Sequence, residues 1–504
     1  MTSPAPDPPA QRASPDRALA ALTVAALVVR VGWLILEPRC ALTGDEPSWI
    51  EIGRRIGRPA VGFSPLRSDL IFYPPVYPYF VGALFRAFGT MKAVLWVQVV
   101  LGALLVPAVG RAGALAFGRR VGLVAAAVTA FYPELVWYPA HYWSETVFLL
   151  LLWWAIERTL AADARGSPRV AVVAGVLWGL AILTRELALY LVPIAALWML
   201  RPHARGGGHV RDRKIQDLTP AVLVLSAVLT ALPWTIRNAV VFRAFIPVST
   251  MGGLNLWQGN TTLTHLQIYE VLPTIGGPAE QDRYCRAMAW TAIAARQPGW
   301  ILEKLRSEMP ELWKAGSEVL DHLVGREACG PLPRSKLVPI ELLLVLPYLA
   351  LLALSLVGLA RVRFSGAAWL LLLLLAAYNA AHVAAYATTR FRLPVLPVVF
   401  MVGAAVLVGQ RDATLRPLRG WRLLLLAALA LAALATLAPG HGSRILLRVP
   451  SAAVTTLTPS EPTAAPVPTV AADEAQAVRA PTWAPAARRT GPRATSANDP
   501  ELSG

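Results

Sequence analysis

The chain has 504 residues, of which 56% are hydrophobic and only 15% charged, with a mean hydropathy of +0.51. Soluble domains carry about 25% charged residues, so the composition excludes an ordinary water-soluble domain and points to lipid as the solvent. The net charge of +17 comes mostly from arginines in short loops between apolar runs, which is the positive-inside pattern of a membrane protein and implies no nucleic acid.

Residues 1–17, rich in Pro, Ala and Arg, are expected to be a disordered cytoplasmic terminus. Ala18 to Leu36 reads as a retained signal anchor, because no small-x-small cleavage site precedes Glu37-Pro38-Arg39. Arg30 inside it marks either a lined cavity or a side chain snorkelling to the interface. Residues 37–90 form a first outer loop with two juxtamembrane helices. In the first, Trp49, Ile50, Ile52 and Ile56 alternate with Glu51, Arg54, Arg55 and Arg58, an amphipathic pattern suited to a membrane surface. The second follows Tyr73-Pro74-Pro75-Val76-Tyr77-Pro78 and is too short to span.

Further spans are expected at 91–110, 121–139, 143–156, 170–183, 187–200 and 218–234. A large outer loop over 237–336 follows, then four spans near 338–360, 366–388, 393–410 and 421–438. Residues 439–504, rich in Ala, Pro and Thr, are expected to be a disordered tail. The fold class is thus an all-α integral membrane bundle of about eleven helices over 18–438, in the plasma membrane. Its amino terminus is cytoplasmic, and the working face and tail are outside. Basic loops alternate with this topology, whereas Asp45, Glu46, Glu51, Asp69, Glu145 and Glu186 collect on the outer face. Cys285 and Cys329 share the large loop and are placed to pair or to remain free. No Cys/His spacing points to a metal, and no cofactor can be inferred.

Several short motifs recur in order: Gly-Asp-Glu at 44–46, Tyr-Pro-Pro-Val-Tyr-Pro at 73–78, Ser-Glu at 144–145 and Leu-Thr-Arg-Glu at 183–186. Leu-Pro-Trp-Thr-Ile-Arg-Asn at 232–238, the Gly-Gly to Gly-Asn run at 252–260 and Arg-Phe-Arg-Leu-Pro at 390–394 complete the set. Together, over about residues 18–410, they resemble the GT-C glycosyltransferases of the protein O-mannosyltransferase and aminoarabinose lipid A transferase superfamily (the glycosyltransferase 39 type). The resemblance implies a GT-C-like bundle and a membrane enzyme. Such an enzyme takes a sugar from a polyprenyl-phosphate carrier and gives it to a lipid, glycan or protein acceptor on the outer face. It also implies that the acid of the first outer loop, here Asp45, is the base. Two positions depart from the aminoarabinose branch: Ser48 stands where that branch has Arg, and Tyr73 where it has Lys. Both are tied there to the carrier phosphate.

A sugar on a lipid phosphate already has a good leaving group. An inverting displacement therefore needs one base for the acceptor hydroxyl and positive charge for the departing phosphate, not the acid/base carboxylate pair of a glycoside hydrolase. Asp45 is the candidate base, and Glu46 either orients the acceptor or Asp45 or merely follows it in the loop. Arg390 and Arg392, beside Pro394, are candidate phosphate ligands or snorkelling anchors; Arg54 and Arg55 are weaker ones. Arg237 holds either phosphate or the loop backbone. Arg185 and Glu186 read as a local ion pair in a turn that faces the presumed cavity, which keeps Arg185 a candidate substrate ligand, and Ser144 with Glu145 either caps the following helix or joins the site. Asn255, Trp257 and Asn260 line a sugar groove or pack their own loop, and His141 and His382 read as structural. From another class, a transporter or flippase of a lipid-linked or small-molecule substrate is the alternative. It predicts paired repeats and midplane acids, and neither is evident.

Overall fold

In lipid the backbone must satisfy its own polar groups, so a chain of this composition is driven into helices. The computed structural model describes residues 15–37, 42, 44–58, 72–201, 218–324, 333–409 and 420–423, and among them every regular element is helical. The expected terminus up to residue 14, the basic loop beyond Arg201, the last span beyond residue 423, the tail, and Cys40, Asp69 and Cys329 lie outside the described residues. Cys285 is buried.

Six helical segments among the described residues are long and apolar enough to cross a membrane: Arg17–Leu36, Lys92–Phe117, Thr219–Phe242, Ser335–Arg361, Gly366–Ala384 and Thr389–Val408. A bent pair, Arg119–Phe131 with Pro133–Ala140 at 58°, makes a seventh if it counts as one span. The sequence-based expectation of about eleven compares with this figure.

Helix α1 (Pro15–Leu36) is followed by α2 (Glu46–Gly57) and α3 (Val76–Phe88). The latter two pack closely through Gly53, Gly57 and Gly82: a Cβ on Gly82 would lie 2.5 Å from Ile56 Cγ2. Trp49, Ile50 and Ile56 are buried, while Arg55 and Glu51 pair at 2.7 Å on the exposed face. Thus the apolar stripe that suggested a membrane surface is spent largely on the partner helix.

Next come α4 (Lys92–Phe117), which continues through the expected end at Arg111, and α5 (Arg119–Phe131). Tyr132 is extended, as a residue before proline prefers, and Pro133 opens the short helix α6 (Pro133–Trp137). Arg30 explains how this break is tolerated. Its fully buried guanidinium donates to Ala130 O at 2.8 Å and Thr129 O at 3.1 Å, carbonyls at the end of α5. Arg30 therefore neither snorkels nor lines a cavity; it caps a broken helix.

Helices α7 (Glu145–Arg165), α8 (Pro168–Ile182), α9 (Ala188–Met199) and α10 (Thr219–Phe242) follow. The last runs beyond its expected end at Trp234. Five helices, α11 (Met251–Gln258), α12 (His265–Val271), α13 (Pro278–Ala295), α14 (Trp300–Trp313) and α15 (Glu318–Val324), fill the region before the next long one. None is among the candidate spans. Helices α16 (Arg334–Arg361) and α17 (Gly366–Ala384) lead to a 3₁₀ segment, Thr389–Val395, that feeds α18 (Leu396–Val408). Trp153 Nε1 in α7 donates to Pro394 O at 3.0 Å, holding that 3₁₀ segment against the bundle.

Candidate active site

Gly44 has φ +57°, and its Cα faces the Trp143 ring so closely that a Cβ would lie 3.0 Å from Cζ2. A left-handed turn without a side chain suits glycine here. It delivers Asp45 to the start of α2, where the carboxylate makes no side-chain capping bond. Helix termini usually recruit such a side chain; this one is left to face other groups. Glu46 turns the opposite way. It is buried, accepts from Tyr142 N at 3.0 Å, and lies 3.3 Å from His141 Nδ1, while His141 Nε2 is 3.1 Å from Glu37. Burial alone would push the His141 imidazole down, but its bonds to Glu37 and Glu46 outweigh that and lift it. His141 is also stacked on Trp137 at 3.7 Å, and Glu46 helps anchor the loop end and does not point out beside Asp45.

Arg390 reaches Asp45 from the far end of the chain. Its Nη1 donates to Asp45 Oδ2 at 3.2 Å, its Nε lies 3.3 Å from Glu145 Oε1, and its guanidinium sits 4.3 Å above the Trp143 ring. Glu145, at the first turn of α7, also pairs with Arg185. Arg185 donates to Ser144 Oγ at 3.3 Å as well. Charges therefore alternate along Asp45, Arg390, Glu145 and Arg185. Their exposures differ: the Asp45 side chain is 48% exposed, Arg390 14% and Glu145 2%. Asp45 is the accessible end of a buried ionic chain.

Three tyrosines from separate elements feel the charge of Asp45. Burial, then Asp45, pushes the Tyr73 phenol up to about 12, and the same two causes raise Tyr269. Burial also raises Tyr386, with Asp45 contributing. Tyr73 rests on Trp49 at 4.4 Å between ring centroids. Asp45 thus faces one guanidinium and lies within electrostatic reach of three phenols.

The other expected site residues are disposed differently. Arg392 is 1% exposed, donates to the carbonyls of Lys314 and Gly316 at 2.6 Å each, and lies 3.5 Å from Glu134. It is a structural cation within the bundle, not a phosphate ligand beside Arg390. Arg237 is buried in the last turns of α10 over the rings of Trp234 and Phe242 and donates to Asn238. Asn238 in turn holds the carbonyls of Ile246 and Val248, so the backbone-holding alternative describes this pair. Arg54 and Arg55 lie on the exposed face of α2. Trp257 is buried against Tyr284. Asn260 is fully engaged, donating to Leu256 O and Ala384 O and accepting from Arg296 and Trp300. Neither lines a groove. Asn255, two residues before Trp257 in α11, has its Oδ1 buried and without a hydrogen-bond partner. The expected Arg185–Glu186 pair is not formed: Arg185 turns to Glu145, and Glu186 accepts from Ser249 at 2.9 Å. Sequence reasoning missed Trp143, Tyr269 and Tyr386. The one signal was that all three lie in or beside stretches already assigned to the outer side. Among the described residues no group of three or more His, Cys, Asp or Glu is arranged to hold a metal ion.

Residues 73–234 match the family model described as dolichyl-phosphate-mannose-protein mannosyltransferase. That segment holds Glu145 and Arg185; Asp45 and Arg390 lie outside it. No curated protein matches the chain. Among solved structures, the apo oligosaccharyltransferase of Archaeoglobus fulgidus is similar at 14% identity and a TM-score of 0.48, over 86% of this chain and 55% of that one. The oligosaccharyltransferase AglB from Archaeoglobus fulgidus, in complex with an inhibitory peptide and a dolichol-phosphate, gives 15% and 0.44, over 83% and 55%. ArnT from Cupriavidus metallidurans bound to undecaprenyl phosphate gives 16% and 0.37, over 78% and 77%. The chain spans about half the length of the archaeal structures. Over residues 73–234 the resemblance read from the motifs is thus met by the family model, and the long apolar helices are those of a multi-pass membrane protein.

Proposed function

We propose that this protein is a membrane glycosyltransferase that moves a sugar from a polyprenyl-phosphate carrier to an acceptor hydroxyl on the outer face of the plasma membrane. The observation that carries the reading is Asp45: a half-exposed carboxylate, unused for capping, with one oxygen held by the buried Arg390. The similarity of residues 73–234 to a lipid-phosphate-sugar transferase family supports the donor class.

The acceptor hydroxyl oxygen attacks the anomeric carbon, and the bond from that carbon to the phosphate oxygen breaks. The electron pair leaves with the polyprenyl phosphate, and the hydroxyl proton passes to Asp45. Positive charge at the departing phosphate comes from Arg390, whose guanidinium is fixed from behind by Glu145 and from below by Trp143. Arg185 pairs with Glu145 from the other side and so holds it toward Arg390. Two outward oxygen-rich partners for Arg390, Asp45 now and phosphate during reaction, give it a role at both ends of the transfer.

The test is a donor screen in membranes carrying the full chain, with labelled polyprenyl-phosphate hexoses and pentoses. Label moving to lipid, glycan or protein, with release of polyprenyl phosphate, supports the reading and reveals sugar and acceptor. A normally inserted chain that transfers from none of these donors overturns it.

A further inference from the structure

The last turn of any helix leaves carbonyls without intrahelical partners. At the end of α17 two such groups are taken by side chains of the region between α10 and α16. Lys304 Nζ donates to Ala385 O at 2.8 Å, and Asn260 Nδ2 donates to Ala384 O at 2.9 Å. Lys304 also donates to Gly259 O at 2.5 Å and to Glu308 Oε1 at 3.0 Å, and Glu308 Oε2 accepts from Ala387 N at 2.9 Å. The three protons of the ammonium are therefore all used, which is what allows a lysine side chain to be 2% exposed. The contact is close: a Cβ on Gly259 would lie 1.6 Å from Ala385 O.

The strip held this way, Ala384 to Ala387, includes Tyr386 and precedes Arg390, both neighbours of Asp45. Beyond Ala385, whose N still bonds Ala381 O, no helix or strand fixes its backbone until the 3₁₀ segment begins at Thr389. We propose that Lys304, with Glu308, is a positioning residue: it locks this strip to α14 and the end of α11, and so sets where Tyr386 and Arg390 stand over Asp45. This rests on the glycosyl-transfer reading. Lysine suits the task because a single long cation reaches two carbonyls from separate segments and an acid on its own helix, one turn away.

A double-mutant cycle separates positioning from mere support of the fold. Lys304→Met and Arg390→Lys are assayed singly and together for sugar transfer in membranes, with insertion checked for each. Misplacement of a reacting group by about 1 Å costs up to roughly a hundredfold, so Lys304→Met is expected to lose about tenfold to a hundredfold. The double variant is expected to be no worse than Arg390→Lys alone to within about threefold, because residues acting through one another are not additive. Losses that simply multiply overturn the proposal. If Lys304→Met does not insert, Glu308→Gln enters the same cycle.

A second readout needs no activity. Ala387 is 7% exposed, so a cysteine placed there, in a chain with Cys40, Cys285 and Cys329 replaced by Ala, should react slowly with an impermeant maleimide. Adding Lys304→Met or Glu308→Gln should speed labelling by about tenfold, as local opening becomes cheaper. Unchanged labelling overturns the clamp whatever the assay shows. Faster labelling in a protein whose wild-type form transfers no sugar overturns the transfer reading, and with it the positioning role, while leaving the clamp itself in place.

Discussion

The Arg390 guanidinium and the Asp45 carboxylate meet at 3.2 Å across 345 positions of sequence. The arginine is mostly buried and the aspartate half exposed, so the pair has a fixed member and an accessible one. Desolvation strengthens the hold of Glu145 and Trp143 on Arg390, while water and ligand reach Asp45. This asymmetry distinguishes the pair from an ordinary surface ion pair, which contributes little and positions nothing.

Arg390 and Arg392 should therefore fail in different ways. Arg390→Gln leaves a chain that inserts normally but transfers sugar about a hundredfold more slowly, the scale of a lost electrostatic contact to a reacting group. Arg392→Gln strips the carbonyls of Lys314 and Gly316 of their donors and lowers the thermal midpoint in detergent. A transfer assay run beside thermal unfolding separates the two; equal stability losses would contradict the assignment.

Gly82 is where α2 and α3 meet, with Ile56 Cγ2 2.5 Å from where a Cβ would stand. Gly82→Val overpacks this contact, a change worth about 1–3 kcal/mol, and is expected to loosen α2 and with it Asp45 at its start. Activity should fall while the long helices stay intact, so reduced transfer with an unchanged far-ultraviolet helical signal is the predicted combination.

Arg30→Met removes the donor that serves Thr129 O and Ala130 O at the break between α5 and α6. Buried acceptors left without partners cost about 1–3 kcal/mol, so the variant should unfold at lower temperature than wild type. An unaltered midpoint would show that the break is satisfied by other means.

Burial lifts the Glu186 carboxyl to about 7, against the opposing bond from Ser249 and charge of Arg286. Its folded value lies above the ordinary carboxylate value of about 4.3, so the protonated side chain is the one the fold favours. The contribution is fully present below that ordinary value and is lost as pH rises through about 7. Thermal unfolding between pH 5 and pH 8 should show wild type losing more stability than Glu186→Gln; parallel curves would refute the shift.

The helices were readable because apolar length is nearly all that lipid demands, and Asp45, Glu145 and Arg390 were each visible as polar residues next to spans. Their mutual contacts were not, since three elements far apart in sequence supply them. Arg392 misled because it is two residues from Arg390 in a segment of three residues per turn, so the two side chains point to different sides. Glu186 misled in the same way, turning away from the Arg185 it was paired with by sequence, whereas Glu46, left open between orienting and merely following, turns to His141. Trp257 and Asn260 look like a sugar groove by composition, yet the Trp257 ring is spent on Tyr284 and the Asn260 amide on Trp300 and on the end of α17. Lys304 gave no signal, because a buried lysine is identified only by the carbonyls it meets.

The most direct test of Asp45 as the base is the transfer rate of Asp45→Asn against wild type, measured in membranes from the donor that the wild-type chain accepts. Asparagine keeps the size and an oxygen for Arg390 but cannot take a proton. A fall of about a hundredfold to ten-thousandfold in a normally inserted chain is the predicted result. Transfer at the wild-type rate would remove Asp45 from the chemistry and contradict the account.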